Sequence, residues 1–296
     1  MAQFVQQVVA GLGDGAIYAS LALALVLIYR ATHVINFAQG EMGMFSTYIA
    51  WSLITHHGWS FWTTFVFMLG ASFLGGVGIH QAVIRPLQRA GELTVVMATV
   101  ALLVILSGLA SWIWQPDEKI LTTPLAGGTW SIGTVAITQQ AVYDLHVVLG
   151  CVVVLWVLFN FTKLGLALRA SAVDPASSRL LGVRVPWMLS IGWGFAAVLS
   201  AVAGLLAASA QFVFTPTFMQ VVIIYAFAAA VLGGIESPVG AVVGGLALGV
   251  TINLLGTYLP GQITPDMRLP VALAVLLLVL VFRPAGLRGR TIVRRV

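Results

Sequence analysis

Residues 93–114 read LTVVMATVALLVILSGLASWIW, a run without a single charge. As a helix it is about 30 Å long, the thickness of a bilayer's hydrocarbon core. It stops at Gln115-Pro116-Asp117-Glu118-Lys119, where proline and charge arrive together. Comparable apolar blocks recur at 5–29, 37–56, 61–84, 143–162, 187–211, 218–234, 239–258 and 269–283. Arg85-Pro86, Glu236-Ser237-Pro238 and Pro260-Gly261 separate some of them. Composition agrees: the chain has 296 residues, 60% hydrophobic and 8% charged, with a mean hydropathy of +1.03. Soluble domains carry about 25% charged residues, so lipid rather than water is the solvent this balance fits. The sequence predicts an all-α integral membrane protein, one polytopic bundle of eight to ten transmembrane helices spanning residues 1–296.

The net charge is +5. The basic residues sit between apolar blocks, which fits the positive-inside rule and gives no reason to expect nucleic acid as a partner. Placing the 85–92 loop in the cytoplasm also places 30–36, 163–186, 235–238 and the tail from 283 there, and with them 12 of the 14 basic residues. Only Lys119 and Arg268 fall outside. The N-terminus is therefore expected outside and the C-terminus inside. Met1-Ala-Gln-Phe-Val lacks a basic leader, so the first helix is expected to be its own insertion signal. Residues 30–45 read either as the start of a full span or as a re-entrant piece. Residues 115–142, rich in Pro, Gly, Thr and Ser, read as an extracytoplasmic loop with a short hairpin around Thr129–Thr138. That loop is either a surface for a soluble partner or plain solvated chain. Cys151, alone in an apolar block, reads as a small filler.

No phosphate-binding Gly-Lys-Ser/Thr loop, His-Glu-x-x-His pair or potassium-filter run is present. Intramembrane carboxylates are sparse, with Asp14 the main exception. Three segments stand out from apolar filler. Asn36-Phe37-Ala38-Gln39-Gly40-Glu41-Met42-Gly43 sets two amides and a carboxylate beside glycines at the start of a block, either as a cap near the cytoplasmic surface or as a gate. In the 163–183 loop, Asp174-Pro175 reads as an N-cap with proline at the first helical position, and Gly182 as the stop. Ala176, Leu180 and Leu181 then share one side of a short cytoplasmic helix and need either a partner or this chain's own helix ends. Leu232-Gly233-Gly234-Ile235-Glu236-Ser237-Pro238 is a tight connection ahead of the stripes Gly240-x-x-x-Gly244 and Gly245-x-x-x-Gly249, which together with Gly11-x-x-x-Gly15 favour close helix packing.

Taken in order, Gly15-Ala16-Ile17-Tyr18-Ala19, Leu27-Ile28-Tyr29, Val34-Ile35-Asn36-Phe37-Ala38, Gly40-Glu41, the 165–182 loop, Leu232-Gly233-Gly234-Ile235 and Phe282-Arg283-Pro284 with Gly286-Leu287 resemble the permease subunits of branched-chain amino acid ABC importers, the LivH-type family. The resemblance covers nearly the whole chain. It departs at Gln39, Arg30 and Glu236, where the family usually carries His, Gly and Gly, and this leaves the substrate open among branched-chain and other amino acids, urea and short amides. It implies a coupling helix at 172–182, with Arg169, Ala172, Asp174, Ala176, Leu180, Leu181 and Gly182 engaging a cytoplasmic ATPase. It implies a second permease subunit, two ATP-binding subunits that consume the ATP, an extracytoplasmic binding protein, a bacterial inner-membrane location and no cofactor in this chain. Asp14, Tyr18, Asn36, Gln39 and Glu41 are the candidate pathway residues. A self-sufficient secondary transporter or channel is the competing expectation; a membrane enzyme finds no catalytic cluster to rest on.

Overall fold

A computed structural model describes residues 1–121, 123–124, 127–133, 135–258, 267–283 and 286–287. The break at Pro260-Gly261 and the basic tail from Arg288 lie outside the described residues. The helices are α1 (Ala2–Thr32), α2 (Gln39–His57), α3 (Phe61–Ile79), α4 (Arg85–Leu87), α5 (Glu92–Trp114), α6 (Gln139–Phe161), α7 (Lys163–Val173), α8 (Pro175–Leu180), α9 (Val185–Gln211), α10 (Met219–Gly233), α11 (Pro238–Tyr258) and α12 (Arg268–Phe282). A π turn at His80–Ile84 carries α3 into α4, so the chain stays helical from Phe61 to Ala90. Four short strands accompany them: β1 (Lys119–Ile120), β2 (Thr129–Ile132), β3 (Val135–Thr138) and β4 (Val213–Phe214). β2 and β3 form the expected hairpin, with Thr129 opposite Thr138. The antiparallel pairing of β1 with β4 was not legible in the sequence.

Among the described residues, six helices are long and apolar enough to cross a bilayer: α1, the Phe61–Ala90 run, α5, α6, α9 and α11. The expected count of eight to ten exceeds that number because three of the nine blocks fall short for physical reasons. α10 and α12 have 15 residues each, about 22 Å of helix. α2 is long enough at 19 residues, but it carries Gln39, Glu41, Ser46 and Thr47. It can, because every residue from Gln39 to Met44 is buried in protein and needs no lipid-compatible surface.

The bundle has an inner and an outer layer. Of the apolar stretches of α1 and α9, 78% of residues are buried, against 22% in α5 and 17% in α6. α1 and α9 form the interior, while α3, α5 and α6 turn leucine, valine and phenylalanine outward, the pattern of lipid-facing helices. The glycine stripes serve intrachain packing. A methyl group at Gly249 would lie 2.4 Å from Gly15 Cα, and one at Gly245 would lie 2.5 Å from Ala19 Cα. α1 and α11 therefore meet backbone to backbone, where dispersion must replace the hydrophobic effect.

Candidate functional site

The chain between α1 and α2 turns back into the bundle. His33 closes α1 in the left-handed region with φ 56°, and Val34, Asn36 and Ala38 are then buried without helical structure. Non-helical backbone at membrane depth survives only when protein covers it. The Phe37 N–H donates to Thr99 Oγ1 on α5 at 3.3 Å. Asn36 folds its own turn: its Oδ1 accepts the Ala38 N–H at 3.0 Å, and its Nδ2 donates to Gln39 Oε1 at 2.6 Å. Gln39 Nε2 in turn donates to the Ala196 carbonyl at 2.9 Å and to Ser200 Oγ at 2.6 Å, both on α9. Those positions lie roughly 17 and 23 Å along a helix about 40 Å long, near the middle of the bundle. The 36–43 segment is thus buried and tied to the middle of α9 rather than left at an end of the bundle.

Glu41 occupies the first turn of α2 and is 2% exposed. Its hydrogen-bond partner is the Gln220 side chain on α10, and its Oε2 is buried without a partner. Tyr18 packs on Tyr225, also on α10, with ring centroids 4.9 Å apart. The expected pathway residues therefore divide into three groups. Asn36 and Gln39 spend their amides on each other and on α9. Glu41 and Tyr18 both meet α10, whose Gln220, Val221 and Ile224 are exposed. Asp14 stands apart, accepting from Asn253 Nδ2 on α11 at 2.8 Å.

Beside Asp14 lies a residue not singled out in the sequence. Asp144 on α6 is 2% exposed, interacts electrostatically with Asp14, and accepts from Gln140 Nε2 at 2.7 Å. The sparse-carboxylate expectation is thereby amended: Asp14, Glu41 and Asp144 all sit within the bundle. The one signal in the sequence was the Gln140–Asp144 spacing of one helical turn at the head of an apolar block. Toward the same end, Tyr48 packs against Trp114 and, edge-on, against Phe214 of β4, and Trp51 Nε1 donates to the Ile120 carbonyl of β1 at 3.1 Å.

At the opposite end, the 163–183 loop forms two helices, not one helix over 172–182. Asp174 is extended, with φ −141° and ψ 92°, because the following Pro175 disfavours helical backbone before it. Ala172 therefore ends α7, while Ala176 opens α8. Asp174 accepts the N–H groups of Ala176 and Ser177, each at 3.0 Å, and the Ser177 hydroxyl. The Ser177 hydroxyl, followed by these N–H groups, holds the Asp174 carboxyl below the usual carboxylate range. Gly182, at φ +82°, donates to Arg179 O, and Val183 donates to Ser178 O, the paired bonds of a Schellman stop. Ser178 faces inward, while Leu180 and Leu181 are 89% and 83% exposed. Arg169 lies on α7, its Nη1 3.4 Å from Asn160 Oδ1.

The profile described as "Branched-chain amino acid transport system / permease component" matches residues 7–280. The chain belongs to this permease family. The permease is 32% identical to BraD of Pseudomonas aeruginosa, described as a high-affinity branched-chain amino acid transport system permease protein, over 99% of this chain and 98% of that one. It is 28% identical to LivH of Escherichia coli strain K12, with the same coverage. A probable LivH of Methanocaldococcus jannaschii matches the permease at 27% identity over 91% of this chain and 87% of its own.

Proposed function

We propose that the permease is one membrane subunit of an ATP-driven, binding-protein-dependent importer for branched-chain or related amino acids, and that it forms half of the translocation pathway. The observation that carries this is α8, a helix rigidly capped at both ends that turns Leu180 and Leu181 fully into solvent. Apolar side chains held that firmly on a surface call for a protein partner. A cytoplasmic ATPase is the partner that would convert nucleotide hydrolysis into motion of α7 and α9.

In this reading the chain makes nine passes, with α2, α10 and α12 added to the six longer spans, and the C-terminus is cytoplasmic in the bacterial inner membrane. The exposed face of α10 meets the second permease subunit. Glu41 Oε2, buried beside Gln220, is the counter-charge for a substrate ammonium, and Tyr18 with Tyr225 forms an adjoining wall. The outer hairpin and the β1–β4 pair face the binding protein. The Asp14–Asp144 pair favours a second reading, an ion-coupled transporter, because such a device needs carboxylates inside the bilayer.

Proteoliposomes separate the two. With a second permease, two ATPases and a binding protein present, uptake is expected to require ATP, and L180D/L181D is expected to abolish it while leaving the permease folded. Uptake by the permease alone, driven by an ion gradient, would establish the second reading instead.

A further inference from the structure

We propose that the groove between α1, α6, α7, α9 and α11 is a binding site for an anionic phospholipid. The groove is a cavity of about 460 Å³ in the half of the bundle that carries α7 and α8. Small-ligand pockets measure roughly 300–1,000 Å³. Leu27, Leu155, Phe159, Leu168, Met188 and Val243 are among the side chains that line it, and such a wall repels water but accepts an acyl chain. Val153, Val154 and Val157, exposed on α6, stand next in sequence to its lining residues Val152, Leu155 and Trp156.

The polar groups on the lining are what select the lipid. Arg30 from the end of α1 and Arg169 from α7 both line the groove, as does Asn160: Arg169 bonds to Asn160 Oδ1, and no carboxylate pairs with either arginine among the described residues. Two exposed guanidinium groups above an apolar slot match a phosphate with an acyl chain beneath it, and arginine binds phosphate oxygens through paired N–H groups. Trp156, half exposed on the same wall, suits the headgroup boundary. Ala172 also lines the groove two residues before the α8 cap, so a bound lipid would brace α7 beneath the coupling segment.

Assigning the site to the cytoplasmic leaflet rests on the proposed orientation; the affinity for anionic lipid does not. The test is native mass spectrometry of the full-length permease carried from vesicles of phosphatidylcholine and phosphatidylglycerol. Wild type is expected to retain phosphatidylglycerol preferentially, and R30Q/R169Q to lose that preference roughly tenfold. Gly192 lines the slot with nothing within 4 Å of where its Cβ would stand, so G192F is expected to fill it and lower retention of both lipids. A preference unchanged in R30Q/R169Q overturns the proposal. So does a photo-crosslinker at Trp156 that, in the assembled importer, captures the second permease in place of lipid. Retention is read without ATP, so failure here is distinct from failure of coupling through α8.

Discussion

Gln39 shows how a buried amide can lock a non-helical segment. Its donors go to Ala196 and Ser200 on α9 and its acceptor to Asn36 in its own segment, so it both folds the non-helical chain and ties it to α9. Gln39→Leu removes all three of these bonds, at a net cost of about 0.5–1.5 kcal/mol each. The thermal midpoint of the purified permease is expected to fall, and a midpoint equal to wild type would show that the lock is dispensable. Asp174 acts locally. Its folded-state carboxyl titrates below the ordinary range because Ser177 and the first N–H groups of α8 bond to the ionised form. Its contribution is therefore complete above the unfolded aspartate value and lost as pH falls through the folded one. The protection factor of the Ser177 amide, its exchange rate divided by the intrinsic rate at the same pH, is expected to hold at neutral pH and to fall only in acid, and Asp174→Ala should lower it already at neutral pH. These residues also mark what a sequence discloses. The Asp174 cap was legible because its partners lie within three positions. Ser200 stands 161 positions from Gln39, and Asp14 lies on a different helix from Asp144, so only folding brought those pairs together.

Among the elements, the α1–α11 seam is where helix packing is least forgiving. Gly245 presents its bare backbone to Ala19 at a distance no side chain can share. Gly245→Val is expected to force the helices apart at a cost of about 1–3 kcal/mol or more. Gly108 on α5 has nothing within 4 Å of a new Cβ, so Gly108→Ala should be neutral or stabilise the helix by up to about 1 kcal/mol. Unfolding in a denaturing detergent series would measure both, and equal effects would refute the seam. The stripes were visible as spacing in the sequence, and the opposed partners were not. The same limit explains the spans. Apolar length identifies helices that face lipid, such as α5 and α6. It does not separate these from α2, whose polar residues are screened by its neighbours, or from α10, a shorter helix that starts after an extended turn at β4.

At the scale of the whole molecule, two contacts sort the connections into two sets. β1 pairs with β4, so the 115–138 loop and the turn between α9 and α10 share one face. The Leu287 N–H donates to the Leu232 carbonyl at 2.8 Å, so the far ends of α10 and α12 lie together on the other. α9 enters from the side of α7 and α8, which puts Arg169, Arg179 and Arg184 opposite the β2–β3 hairpin. The positive-inside rule then turns a two-sided object into an oriented one. In a Cys151→Ser background, Ser131→Cys in the hairpin is expected to react with a membrane-impermeant maleimide in intact cells, and Arg179→Cys only after permeabilisation. Both sites are exposed in the fold, so protection reports sidedness and not burial. The reverse pattern would place α8 outside the cell, beyond the reach of any ATPase, and leave the exposed Leu180 and Leu181 with no energy-supplying partner.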